Sequence, residues 1–172
     1  SSCYQGLIGE IFAECSLICI NHNIKLSNDF YNKLYEMKVF NNSLKIDKEL
    51  IQIGDNDSGR VFSVLPENPL SYNIFNNIVD MIFYNKNNNY TFFECICSNH
   101  YLDNNPFKLL VNNSDIKLFN ESNISILNNT FFKIILYGTE AQKYGFGGHT
   151  HNDKLSICFS VLNKIFFIDP GT

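Results

Sequence analysis

Two histidines and an aspartate near the end of the sequence are of the residue types that bind transition metals. His149 and His151 are separated by one residue, and Asp169 follows them after two short apolar runs. The apolar runs are 155–162 and 165–168, and they meet at the polar pair Asn163-Lys164. This pattern predicts a β-hairpin. His151 would then lie near the start of one strand and face Asp169 at the end of its partner.

Imidazole nitrogen and carboxylate oxygen are both common zinc ligands, so the hairpin would form part of a metal site. Side chains alternate along an extended backbone, which puts His149 and His151 on the same face. His149 is therefore either a third ligand or a residue that points into a cleft beside the metal. The alternative is that one or both histidines are hydrogen-bonded loop residues that bind no metal.

The hairpin residues also resemble a known signature. Gly147-Gly-His-Thr-His-Asn-Asp-Lys-Leu-Ser and the later Phe167-Ile-Asp-Pro-Gly-Thr resemble the C-terminal signature of the heparinase II/III family of polysaccharide lyases, which includes alginate-lyase-like proteins. The resemblance implies that His149 is catalytic and that His151 and Asp169 bind a zinc ion. It also implies that a further His, beyond Thr172, completes the zinc site.

The first residues of the chain extend this resemblance. Ser1-Ser-Cys-Tyr4 resembles a Ser-x-x-Tyr segment of the family, in which the Tyr is the catalytic acid and base. Tyr4 is therefore the second catalytic candidate, although Gln5 stands where many members have His. The alternative is that Tyr4 only packs on a helical face.

A third segment, Gly54-Asp-Asn-Asp-Ser-Gly-Arg60, resembles the Gly-Asp-x-Asp-x-Gly-Arg loop at the edge of the family's helical domain. Its Gly comes too early after the acids for a calcium-binding EF-hand, and no Glu closes the loop. Asp55 and Asp57 could hold the guanidinium of Arg60, which would then line the substrate groove. The alternative is an acidic turn with one surface Arg.

Composition limits the classes of function. The chain has 172 residues, of which 45% are hydrophobic and 17% charged, and its formal net charge is -4. These values are typical of a globular domain, and the negative balance argues against nonspecific nucleic-acid binding. An anionic substrate would need a local positive site. No apolar run approaches the ~20 residues that span a bilayer, and the six cysteines include no C-x-x-C pair, which favours buried free thiols.

The hydrophobic period changes along the chain. Before about Lys48 the apolar residues recur every three or four positions, which predicts two antiparallel helices, the second capped by Ser27 or Asn28. The predicted packed face of the first helix consists of Tyr4, Leu7, Ile8, Ile11, Phe12, Cys15, Ile18 and Cys19. A third helix is predicted over 71–84. Short strands are predicted after Tyr90, at 91–98, 108–111, 116–119, 123–127 and 131–137.

The predicted fold class is therefore α+β. The resemblance implies the C-terminal end of an α/α toroid over residues 1–65, followed over 66–172 by the opening strands of an antiparallel β-sandwich. Both domains are expected to continue beyond the chain.

The resemblance implies a lyase that cleaves a uronic-acid-containing glycan by β-elimination. The enzyme removes the proton at C5 and expels the leaving group at O4. His149 would neutralise the uronate carboxylate, as an oxyanion hole does, and Tyr4 would take the proton and return one to the leaving oxygen. A phenol with an ordinary pKa near ~10 needs positive neighbours for this role. Because a further Asn or His is expected upstream of Ser1, the chain alone is expected to be inactive.

Two other functions compete with the lyase. One is a noncatalytic glycan-binding or assembly protein of a bacterial surface-polysaccharide locus, in which the hairpin and metal brace the fold. The other is a metal-dependent hydrolase with an activated water, but the hairpin carries no Glu to act as its base. In each case the expected partner is an acidic polysaccharide, without nucleic acid or a membrane span. The expected location is the cell envelope or periplasm, with the cytoplasm as the alternative.

Overall fold

The computed structural model describes residues 1–55, 73–84, 115–138 and 155–168. The helices are α1 (Ser2–Asn21), α2 (Asn28–Ser43) and α3 (Asn73–Tyr84), and a 3-10 turn spans Asn120–Ser122. The strands are β1 (Lys45–Ile46), β2 (Glu49–Leu50), β3 (Ile116–Phe119), β4 (Ile124–Asn128), β5 (Phe132–Tyr137), β6 (Ser156–Val161) and β7 (Lys164–Phe167). The fold class is α+β, as predicted.

Serine side chains begin the first two helices. The hydroxyl of Ser1 accepts a hydrogen bond from the N–H of Tyr4 at 3.3 Å, and that of Ser27 accepts one from the N–H of Phe30 at 3.2 Å. Each bond satisfies a backbone donor that has no partner within the helix. The predicted cap at Ser27 is therefore confirmed.

The predicted packed face of α1 is wrong. Ile8, Phe12 and Ile18 lie on the exposed side, at 45%, 43% and 55% of their full accessibility. The buried side is made mostly of small and polar residues: Ser2, Cys3, Gly6, Gly9, Glu10, Ala13, Glu14, Ser16 and Leu17. Small side chains let another helix approach closely, and this contact determines which side of α1 is buried.

Helix α3 makes that close approach. A Cβ placed on Gly9 would lie 2.8 Å from Cζ of Phe75, whose ring is fully buried. α3 supplies the apolar volume that the buried face of α1 lacks. The resulting helical core contains Ala13, Leu17, Tyr31, Leu34, Phe75, Ile78, Val79, Ile82 and Phe83.

Strands β3 to β7 form one antiparallel sheet in sequence order. The predicted strands at 116–119, 123–127 and 131–137 are confirmed within one residue at each end. The predicted strands at 91–98 and 108–111 lie outside the described residues. The hairpin of β6 and β7 is also confirmed.

The turn of that hairpin lies one residue earlier than predicted. Leu162 and Asn163 have positive φ of 48° and 62°, whereas Lys164 already pairs with Val161. A two-residue hairpin loop of this kind twists in the same sense as its strands, but it needs positive φ at both positions. Asn accepts that conformation readily and Leu does not, so residue type does not predict Leu162 as a turn residue.

One face of the sheet packs against a segment that the sequence analysis missed. Residues 44–53 contain the short β1–β2 hairpin and carry five of the ten core residues of this layer. The core residues are Cys3, Leu44, Ile46, Leu50, Ile51, Ile53, Ile124, Ile126, Ile135 and Cys158. The sheet therefore joins the helices through this segment. We call this side of the sheet the inner face.

Candidate functional site

A cleft of about 1130 Å³ lies between α2 and the first strands of the sheet. α2 forms one wall, and β3 with the neighbouring parts of β4 and β5 forms the other. Gln5 of α1 also lines it. The cleft thus lies at the junction of the helical and strand parts of the chain. Ligand sites commonly lie at such junctions, and small-molecule sites measure ~300–1,000 Å³.

Lysines dominate the charge of this cleft. Among the described residues, four lysines line it, Lys33, Lys38, Lys117 and Lys133, against the two acidic residues Glu36 and Asp115. This excess of positive charge stands in a chain whose formal net charge is -4. The local positive site that an anionic ligand would require is therefore present.

The two lysines of α2 are held in ion pairs. Lys33 Nζ lies 2.7 Å from a carboxylate oxygen of Glu36, and both side chains are largely exposed. Lys38, which is buried, pairs with Asp80 of α3. Exposed pairs such as the first contribute little to stability. The second bridges two packed helices.

The two lysines of the sheet have no ion pair within the described residues. Lys117 Nζ donates a hydrogen bond to the hydroxyl of Ser43 at 3.1 Å. Lys133 Nζ donates one to the backbone carbonyl of Lys45. Burial, and then the positive charge of Lys117, lower the pKa of Lys133 to about 8.

Strand register explains why both lysines reach the cleft. Lys117 is opposite Ile126, and Lys133 is opposite Asn128 on the same strand, β4. Ile126 is buried in the inner-face core. Since residues two apart on a strand share a face, both lysines belong to the inner face.

Aromatic and amide side chains complete the lining. The rings of Phe40 and Phe119 meet edge to face, with centroids 4.7 Å apart. The side-chain amide of Gln5 donates to the carbonyl of Met37 at 2.9 Å and accepts from Asn41 at 3.3 Å. Gln5 thus ties the start of α1 to the wall formed by α2.

Tyr4 is half-buried in the first turn of α1. Among the described residues, those that line the cleft include its neighbour Gln5 but not Tyr4. Tyr4 is therefore next to a cleft residue in the chain but is not part of the described lining. The assignment of Tyr4 as the catalytic acid and base remains a prediction.

The structure does bring the start of α1 close to the start of the 54–60 loop. Ser1 Oγ donates to the carbonyl of Asp55 at 2.5 Å, and the Ser2 N–H donates to the carbonyl of Ile53 at 2.9 Å. Gly54 allows this approach, because its φ of +71° is in the left-handed region. The first residues of two segments that carry the family resemblance are thus neighbours in space.

The other predicted site residues lie outside the described residues: Arg60, His149, His151 and Asp169. The structure confirms the paired strands between His151 and Asp169 and does not test the predicted zinc site. In the part of the chain that is described, no group of three or more His, Cys, Asp or Glu side chains could hold a metal ion.

Of the described helices, α1 is long and apolar enough to cross a membrane by length and composition alone. Core helices of soluble proteins pass the same test. Its contact with α3 through Gly9 and its buried Glu10 and Glu14 are features of a core helix.

Sequence reasoning missed Lys117 and Lys133. Each stands within an apolar strand, where a single Lys at an alternating position is the available signal. That signal does not reveal which face is inner, because both faces of these strands are apolar.

Comparison of the chain with protein-family models, with curated proteins and with solved structures found no match. The resemblance to the heparinase II/III family therefore depends on the motif residues alone.

Proposed function

We propose that this protein binds an acidic polysaccharide in the cleft between α2 and the sheet, and that it cleaves a uronic-acid-containing glycan by β-elimination. The observation that carries the proposal is the concentration of lysines in a cleft of about 1130 Å³. A polyanion approaching a protein with a net charge of -4 is repelled overall. A cleft with local positive charge reverses this effect over short distances, since salt screens charges beyond roughly 8–10 Å.

The lining also suits a sugar ligand. Phe40 and Phe119 offer apolar surface to sugar rings, while Gln5 and Asn42 offer amide groups to hydroxyls. Sites that combine aromatic surface with a few polar groups are typical of small-molecule and oligosaccharide recognition. Nucleic acid is a weaker candidate, because the chain as a whole is acidic.

The cleavage step depends on the resemblance. His149 would neutralise the uronate carboxylate, and Tyr4 would remove the C5 proton and protonate the leaving O4. Arg60 would bind the substrate beside them, which agrees with the contact between the start of α1 and the start of the 54–60 loop. The lysines of the cleft would bind sugar units next to the bond that breaks.

We also propose that a zinc ion binds His151 and Asp169. Nitrogen and carboxylate donors suit zinc, and the paired strands β6 and β7 lie between the two residues in the chain. Its contribution would be to hold the two ends of the hairpin together.

The proposed architecture is the end of an α/α toroid followed by one layer of a β-sandwich. Two observations support it: α1, α2 and α3 pack around one core, and both faces of the sheet carry apolar side chains. A sheet within a sandwich buries the face that is turned away from the helices.

The second candidate is a noncatalytic glycan-binding or assembly protein. One observation favours it: among the described residues that line the cleft, none is the proposed base Tyr4. Such a protein would bind the same acidic glycans without altering them.

Turnover distinguishes the two candidates. The full-length protein is incubated with polyuronates, sulfated glycosaminoglycans and a neutral glucan, and the unsaturated product of elimination is followed by its ultraviolet absorbance. A lyase gives product from at least one acidic glycan and none from the glucan. Tyr4→Phe keeps the ring and removes only the hydroxyl, so it should abolish elimination while circular dichroism stays unchanged. Binding without product in the wild type would support the noncatalytic candidate.

A further inference from the structure

We propose that Lys117 and Lys133 form an oxyanion subsite that binds one acidic group of the ligand in the cleft, a carboxylate or a sulfate ester. The inference rests on the proposed function for the identity of the ligand as a glycan. The subsite itself follows from the geometry of the two side chains.

Lys117 and Lys133 each keep N–H donors for a ligand within the described part of the chain. An ammonium group has three N–H donors and no acceptor. Lys117 uses one donor for Ser43 Oγ, and Lys133 uses one for the carbonyl of Lys45. Within the described part of the chain this leaves two donors on each ammonium, and both residues line the cleft. An oxyanion is an acceptor-only group that can satisfy donors from both sides.

The ammonium groups of Lys117 and Lys133 are also held in place before a ligand binds. Both ammonium groups are held beside the C-terminal end of α2, because Ser43 is its last residue and Lys45 follows it closely. These two hydrogen bonds fix each Nζ before a ligand arrives. Binding therefore costs less side-chain entropy than it would with the mobile lysines of an open surface.

The charges around Lys117 and Lys133 also favour a bound anion. The other two lysines of the cleft have carboxylate partners, Glu36 and Asp80. Lys117 and Lys133 instead repel each other, and this repulsion contributes to the lowered pKa of Lys133. An anion bound between them would replace that repulsion by two attractions. Asp115 also lines the cleft and stands two residues before Lys117 in the chain. Within the described part of the chain, Asp115 forms no ion pair with Lys117.

A purely structural role would also use these hydrogen bonds. Cations at the C-terminal end of a helix interact favourably with its dipole, and Lys117 and Lys133 could serve only to hold α2 on the sheet. In that case neutral variants would lose stability without a specific loss of anion affinity. The pH dependence of binding separates the two roles, since a structural contact gives no anion-linked titration.

The test is calorimetric titration of the full-length protein with an unsulfated oligouronate and, in parallel, with a sulfated oligosaccharide that lacks uronate. Lys117→Gln and Lys133→Gln should each weaken binding of the recognised oligosaccharide about tenfold, as expected when a hydrogen bond to a charged group is lost. The matched control is Lys48→Gln, an exposed lysine outside the lining of the cleft. It should change the affinity less than about twofold. The arm that responds identifies the acidic group as carboxylate or sulfate.

The affinity of the wild type should also fall as the pH rises through about 8, where Lys133 loses its proton in the free protein. The other charged groups around the cleft in the described part of the chain are unchanged in Lys133→Gln: the Lys33–Glu36 pair, the Lys38–Asp80 pair, Asp115 and Lys117. That variant should therefore lose this part of the pH dependence.

The melting temperature with added inorganic sulfate distinguishes two outcomes: the subsite can be wrong, or the proposed function can be wrong. If the glycans do not bind but sulfate raises the melting temperature of the wild type more than that of either lysine variant, the subsite stands and the proposed function fails. If a glycan binds equally well to wild type and to folded lysine variants, the subsite is overturned and the function remains. Absence of both responses overturns both.

Discussion

Burial of Lys133 is expected to make the stability of the fold rise with pH. Its pKa is about 8 in the folded protein, against an ordinary value of 10.5. Below about pH 8 both folded and unfolded chains hold the proton, and the folded chain is destabilised by a partly buried charge. Between about pH 8 and about pH 10.5 the unfolded chain binds more protons than the folded one, so the free energy of unfolding rises with pH.

The pKa difference sets an upper limit on this effect. A shift of one pKa unit corresponds to ~1.4 kcal/mol, so the limit is roughly 3 kcal/mol. Solvent reaches part of the Lys133 side chain and screens the charge, so we expect about half of this limit. Somewhat more than half of the rise falls between about pH 7 and about pH 9.5, which corresponds to roughly 1 kcal/mol.

Lys133→Met isolates the effect, because it removes the titrating group and keeps the aliphatic stem that packs on the inner face. Loss of the hydrogen bond to Lys45 costs ~1 kcal/mol, but this cost is the same at every pH. Urea unfolding of wild type, Lys133→Met and the exposed control Lys48→Met is measured at each pH, with the slope m checked for constancy. The rise of roughly 1 kcal/mol should be present in wild type and in Lys48→Met, and absent from Lys133→Met. An equal rise in all three proteins would refute the assignment of a lowered pKa to Lys133.

Two further predictions concern the α1–α3 contact and the proposed zinc site. Gly9→Ala would place a methyl group against Phe75 and should destabilise the fold by up to about 2 kcal/mol in urea unfolding, since overpacking costs ~1–3 kcal/mol and helix propensity returns ~1. Gly138→Ala is its control, because a Cβ there lies 3.9 Å from its nearest neighbours; stabilisation by Gly9→Ala would show that the helices are farther apart. For zinc, elemental analysis of the full-length protein should show bound metal in wild type and in the exposed control His22→Ala, and its loss in His151→Ala. Equal zinc content in all three would remove the proposed site.

Local signals in the sequence were sufficient to predict most of the described elements. The serine cap at Ser27 and the three-and-four spacing located α2, and alternation with β-branched residues located β3, β4 and β5. These signals act within a few residues of the chain. They therefore do not depend on what each element packs against.

The side of α1 that is buried could not be predicted in this way. Its larger apolar residues, such as Phe12 and Ile18, form the stripe that periodicity selects, yet the small residues around Gly9 face the core. The side of α1 that is buried is set by how its shallow surface around Gly9 fits the fully buried ring of Phe75 on α3. Phe75 lies more than sixty residues later in the chain. Close packing of distant segments overrides local amphipathicity.

The cleft was missed for a related reason. Net charge indicated that an anionic ligand would need a local positive site, but the residues that supply it come from α2, β3 and β5. Their convergence depends on the register of the sheet and on its contact with residues 44–53. The most prominent motif of the sequence runs from His149 to Asp169. Of the features that it predicts, the paired strands β6 and β7 are the part that lies within the described residues.

The distribution of apolar surface connects these observations. On the described part of the chain, four of the eight lysines line the cleft between α2 and the inner face of the sheet. Exposed apolar residues also lie on one side of α1 and on the face of the sheet turned away from the helices, where Leu136, Ile157 and Phe167 are 44%, 53% and 65% exposed. Large apolar patches mark surfaces that other elements or partners cover. Polar groups would have to be desolvated if a second sheet covered the cleft, whereas the outer face could be covered without that cost. The arrangement therefore favours packing of a second layer on the outer face, as in a sandwich, with the lysine-lined cleft left accessible to a ligand.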